Sequence, residues 1–157
     1  MSFAVLITWA AAVLAGLYML AVWLIENDVT GRTAAPSRLP VPVVLAHVAL
    51  AVTGLALWVA YLVAGLENLA WASIGVLGGI ALLGFTMFAR WIPVYREPVP
   101  AAGPGGGRPA GPAESHFPVA VVAAHGLFAV STLALALLTI VTSSGALSDR
   151  RAANSTT

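Results

Sequence analysis

The sequence predicts an all-α integral membrane protein, a four-transmembrane-helix bundle built from two tandem helical hairpins. Three observations predict it. Hydrophobic residues make up 60% of the 157 residues and charged residues only 8%, against about 25% charged in a typical soluble domain. Four apolar runs reach the roughly 20 residues that a helix needs to cross a ~30 Å hydrocarbon layer. Two stretches of chain around those runs also resemble each other. The mean hydropathy of +0.95 is too high for a 16.0 kDa soluble fold to bury, which excludes a soluble enzyme. Seven Arg, no Lys and a net charge of +1 leave no basic field for nucleic acid. The absence of cysteine excludes disulfides, thiolate nucleophiles and thiolate metal sites.

The first run, Phe3–Ile25, reads as a retained span. It has no positive n-region, is too long for a signal-peptide core and runs straight into Glu26-Asn27-Asp28. Val41–Ala64 follows, completing a first hairpin over 1–64. A short turn and the third run, Leu69–Ile92, occupy 65–96. Residues 97–115 hold ten Pro or Gly in nineteen, the composition of a flexible linker. The fourth run, Phe117–Thr142, lies in 116–143, and 144–157 is a polar tail. No alternating polarity suggests a membrane β-barrel.

Arginine placement gives the expected orientation. Loops 26–40 and 93–116, with the adjoining end of the third run, hold Arg32, Arg38, Arg90, Arg96 and Arg108, whereas the tail holds Arg150 and Arg151. Five against two puts those loops in the cytoplasm and both termini outside a bacterial plasma membrane. Trp23, Trp71 and Trp91 fall near span ends, the depth that amphipathic rings prefer.

Gly16–Leu24 and Gly84–Ile92 share Gly, Met, Ala and Trp in register at an offset of 68. Pro40–Leu57 lies over Pro118–Leu135 at an offset of 78, matching Pro and His. A hairpin crosses the membrane twice, so its two copies enter in the same direction, related by an axis along the membrane normal. His47 and His125 each fall seven residues after a matched proline. That places them at one depth, about two helical turns in from the cytoplasmic face. Apart from Arg90, they are the only ionisable residues inside the spans.

Ionisable groups in a membrane are costly and face the protein interior or a ligand. From His47 the same helix face carries Ala51, Gly54, Trp58 and Tyr61; from His125 it carries Ala129, Thr132, Ala136 and Thr139. Small residues there allow either close helix packing or clearance for a flat macrocycle. The site expectation is therefore one non-covalent b-type haem, with His47 and His125 as axial ligands to its iron and Arg90 pairing a propionate. Arg38 or His116 is a further candidate for that pairing. The plain alternative makes each histidine an interhelical hydrogen-bond donor, worth about 0.6 kcal/mol. Two histidines fall short of the three or four protein ligands usual for zinc or copper.

The helix count and the histidine pair resemble those of the small four-helix membrane cytochromes of b type. That resemblance implies haem clamped between facing helices and electron transfer between a quinone and a partner protein. The chain departs from the diheme members in having two intramembrane histidines, both near one face. Its Arg-only, Ala/Val/Gly/Pro-rich composition is also similar to that of membrane proteins of high-GC bacteria.

The function expected is haem-based membrane electron transfer with a quinone or redox partner, not stand-alone catalysis. The alternative is a cofactor-free accessory or assembly subunit that docks through Gly75 and Gly79 onto a larger membrane complex, or forms a homo-oligomer. A transporter fits least, because no Asp or Glu lies within any span.

Overall fold

In the computed structural model the described residues are 1–26, 37–97 and 111–155, and every regular element among them is helical. Helix α1 spans Ser2–Glu26, α2 Val41–Ala64, α3 Glu67–Arg96 and α4 Val119–Ser155, with a short 3₁₀ turn at Ala113–His116 before α4. Four helices are long and apolar enough to cross a membrane. Arg32, Arg108 and positions 98–110 of the Pro/Gly-rich linker lie outside the described residues, as do the side chains of Arg150 and Arg151.

Local chemistry sets the helix ends. Pro40 caps α2 and Pro118 caps α4 in the same way. The carbonyl of each accepts two amides, from Val43 and Val44 at 2.9 and 3.1 Å and from Val121 and Val122 at the same distances. Gly65 ends α2 at φ 68°, and its N–H returns to the Tyr61 carbonyl, a left-handed cap that a Cβ would strain. Two helices outrun the expected spans. α3 continues through Pro93 to Arg96; so near the end of a helix, the missing proline N–H costs one hydrogen bond. α4 continues beyond Thr142, because the polar residues there do not oppose a helix.

Packing is concentrated in two pairs, α1 along α4 and α2 along α3. Contact is sparse between α1 and α2 and between α3 and α4. No Cα of α2 comes within 8 Å of an α4 Cα, and the same holds for α1 and α3. Each tight pair thus takes one helix from each expected hairpin, and an open seam runs between the pairs.

One buried cluster joins Val5, Trp9, Trp58, Ala70, Leu77, Ala136 and Ile140. A second, toward the other end, joins Trp23, Leu39, Val44 and Ala113, with Met87 packed against it. Close approach occurs at Gly54, where an added Cβ would lie 2.9 Å from the Trp9 ring, and Ser73 donates to the Gly54 carbonyl at 3.0 Å. Gly75 takes no part in packing within the chain, since a Cβ there would meet nothing within 4 Å, whereas one at Gly79 would lie 3.5 Å from Leu50 Cδ1. Outside, Ile7, Leu14, Val52, Leu82, Phe85 and Leu127 are exposed.

Trp23 and Trp91 point inward, although the ends of spans suggested a boundary position. They are only 4% and 7% exposed. The reason is hydrogen bonding: Trp23 Nε1 donates to Ser37 Oγ at 2.9 Å and Trp91 Nε1 to the Glu114 carbonyl at 3.1 Å. A buried indole N–H needs such a partner.

Candidate cofactor site

The histidine faces turn inward, since Gly54 and Trp58 on α2 and Thr132 and Ala136 on α4 are buried. His47 and His125 meet across the seam with ring centroids 6.2 Å apart and ring planes inclined at 55°. The Cα atoms of α2 and α4 stay more than 8 Å apart, so the two rings meet through their side chains across the seam. The pair lies between the two buried clusters. On α1, the residues that touch His125 are Ala12 and Gly16, which stand between Trp9 and Trp23.

Each ring is seated by the partner helix of its tight pair. His125 Nδ1 is 2.8 Å from the Ala12 carbonyl. A carbonyl only accepts, so Nδ1 carries a proton, and in the neutral ring Nε2 is then the nitrogen with the lone pair. Metal-ligating histidines show this arrangement, in which a backbone carbonyl holds the second ring nitrogen and orients the first. His47 Nδ1 is buried without a formed hydrogen bond, and the Ile80 backbone lies beside the ring. Ile80 is 68 residues after Ala12.

Glycines make room for both rings. A Cβ at Gly16 would lie 3.2 Å from His125 Cε1, and a Cβ at Gly84 would lie 3.3 Å from His47 Cε1. These two positions are also 68 residues apart. No described residue hydrogen-bonds Nε2 of either ring.

This geometry can be tested against a metal between the rings. An imidazole nitrogen sits about 2 Å from a bound ion and the ring centre about 1.2 Å further, so two imidazoles on opposite sides of one ion have centres about 6.4 Å apart. The observed 6.2 Å is within about 0.2 Å of that separation, and it also falls in the roughly 4.5–7 Å range of two rings in direct contact. Among the described residues no group of three or more His, Cys, Asp or Glu is placed to hold a metal. A macrocycle that fills the other coordination positions of an iron is the metal carrier that asks for only two protein ligands.

Arg90 is not brought to the histidines. It is exposed, and its Nη1 reaches the Arg38 carbonyl at 3.3 Å. Arg38 Nη2 pairs with Glu97 at 2.7 and 3.0 Å. His116 Nδ1 lies 3.8 Å from Glu26 Oε2, near the same end of the bundle. Thr132, expected as clearance, is used in packing: its hydroxyl donates to Phe128 O at 2.7 Å and reaches Thr8 Oγ1 at 3.0 Å.

Sequence reasoning missed the carbonyls and glycines that seat the rings, and it missed Glu114. Gly16 and Gly84 were visible as matched positions; nothing in the sequence tied them to the histidines. Glu114 is fully buried. Its Oε1 accepts the Arg38 amide at 2.5 Å and its Oε2 the Ser37 hydroxyl at 2.9 Å, closing the loop before α2 against the turn before α4. A charged group inside a Pro/Gly-rich run carries no pattern that marks it as interior. No family model, curated protein or solved structure matches the chain, so the chemistry of the histidine pair rests on its own geometry.

Proposed function

We propose that the chain is a multi-pass protein of a bacterial plasma membrane that holds one b-type haem between α2 and α4 and serves membrane electron transfer. The observation that carries the reading is the histidine pair. Two rings at a six-coordinate spacing, each backed by a glycine, leave Nε2 without a protein partner. His47 and His125 would be the axial ligands, and the Ala12 carbonyl orients His125 for that role. Arg90 stands at the end of the bundle nearer Arg38, where its guanidinium would meet a propionate by exchanging the Arg38 carbonyl for a carboxylate. A bound haem supplies one-electron exchange, and the protein supplies position and electrostatics. A quinone or a redox protein at the cytoplasmic side would be the exchange partner, with both termini on the other side.

The same reading makes the chain a duplicated hairpin. Its support is pairwise: Ala12 with Ile80, Gly16 with Gly84 and Trp23 with Trp91 at an offset of 68, and Pro40 with Pro118 and His47 with His125 at 78. The pairing of α1 with α4 and of α2 with α3 is also what a twofold arrangement of two hairpins produces.

A second reading is favoured by the His125–Ala12 contact, which an interhelical hydrogen bond alone would also give. In that case the chain is a cofactor-free accessory subunit of a larger complex. Absorption spectra of the purified protein, oxidised and dithionite-reduced, separate the two. The expected result from haem-replete cells is a sharp reduced α-band that His47→Ala and His125→Ala each weaken or abolish. A featureless wild-type spectrum would sink the haem reading and leave the accessory subunit.

A further inference from the structure

We infer that the seam between the end of α3 and the start of α4 binds an anionic phospholipid, with an acyl chain in an apolar groove and the phosphate on Arg96. The groove has a volume of about 340 Å³ and is walled by Phe88, Trp91, Tyr95, Val122 and Ala123, with Arg96 at its end. Its aromatic wall is ordered by stacking. Phe88 lies 5.9 Å from Trp91, and Trp91 lies 5.2 Å from Tyr95, at interplanar angles of 29° and 19°. The Trp91 ring is fixed by its bond to the Glu114 carbonyl, while Phe88 and Tyr95 are exposed, so the groove opens sideways.

The charge at the end of the groove selects the occupant. Arg38 is engaged by Glu97 and Arg90 by the Arg38 carbonyl. Arg96 has no ion-pair or hydrogen-bond partner among the described residues, and its sequence neighbour Glu97 is already held by Arg38. A favourable position at the helix C-terminus accounts for an arginine there. It does not account for the apolar, aromatic-walled groove beside it. Together they complement an amphiphile with one anionic head, since guanidinium recognises phosphate and aromatic rings sit at headgroup depth. The inference rests on the membrane reading of the chain and is independent of the haem.

Native mass spectrometry of the full-length protein, purified with added phosphatidylglycerol or phosphatidylcholine, tests it. The wild type is expected to retain phosphatidylglycerol about fivefold over phosphatidylcholine, the size of one arginine's attraction to an anionic headgroup. Arg96→Gln is expected to bring the ratio to about one, and Arg96→Lys to keep part of the preference. Val122→Trp fills the groove with Arg96 intact and is expected to lower retention of both lipids. Equal retention by the wild type, or an unchanged preference in Arg96→Gln, would overturn the site. Displacement of the lipid by inorganic phosphate would reduce it to a simple anion site and also overturn it. The absorption spectrum of the same samples reports the haem separately. Release of the chain from membranes by alkaline carbonate would sink the membrane reading, and this inference with it.

Discussion

Two glycines do at the histidine pair what no polar residue could do. Gly16 and Gly84 let the edges of the rings press against α1 and α3, so the rings are held by shape where a side chain would block them. Interiors resist added methyl groups at a cost of about 1–3 kcal/mol where neighbours cannot yield. Gly16→Ala and Gly84→Ala are therefore each expected to lower the melting temperature of the detergent-solubilised protein. If haem is bound, each is also expected to shift or weaken the reduced α-band. Gly84→Ala with an unchanged melting temperature and spectrum would mean that His47 is free to move aside. The histidines could be read from the sequence because an ionisable residue stands out in an apolar span. The residues that hold them could not, because carbonyls are common to every residue and a glycine in a membrane helix has several ordinary explanations. Glu114 was hidden for a related reason: its burial comes from Ser37 and the Arg38 amide, 77 and 76 residues away.

The helices themselves were the most readable part of the chain. All four starts, and the ends of α1, α2 and α3, fall within about a turn of the apolar runs, because length and hydropathy decide where a span lies. Which faces pack was less readable. Gly54 and Gly75 look alike in sequence, yet only Gly54 lies under another side chain. Gly54→Ala would drive a Cβ to 2.9 Å from Trp9 and is expected to cost about 1–3 kcal/mol. Gly75→Ala meets open space and is expected to be neutral, or stabilising by up to about 1 kcal/mol through helix propensity. Unfolding monitored by circular dichroism in detergent ranks the two. The reverse order would mean that Trp9 of α1 does not lie over Gly54 of α2. The inward turn of Trp23 and Trp91 was unreadable for a similar reason, since Ser37 and the Glu114 carbonyl come from loops that hydropathy does not place.

Both tight helix pairs draw one member from each half of the chain. Hydrogen bonds therefore join residues far apart in sequence, 124 positions for Thr132 with Thr8 and 113 for His125 with Ala12. Neither half contains a complete pair of its own. Chains cut between Gly65 and Leu66, in the turn that joins α2 to α3, are expected to be degraded or aggregated when each piece is expressed alone, and to co-purify as a complex when expressed together. If the first piece alone were as stable to detergent extraction as the whole chain, the cross-half pairing would not be what holds the molecule together.

The same pairing has a consequence for biosynthesis. α1 emerges from the ribosome before α4, and over 90 residues separate the end of one from the start of the other. At roughly 5–20 residues per second, α1 waits about 5–20 s for its partner. During that interval the Ala12 carbonyl and Gly16 face a vacancy shaped for an imidazole, and the nascent chain is open to insertion factors. The histidine that fills the vacancy comes from α4, so the α1–α4 pair closes only after α2 and α3 have been made and have had the chance to pair with each other.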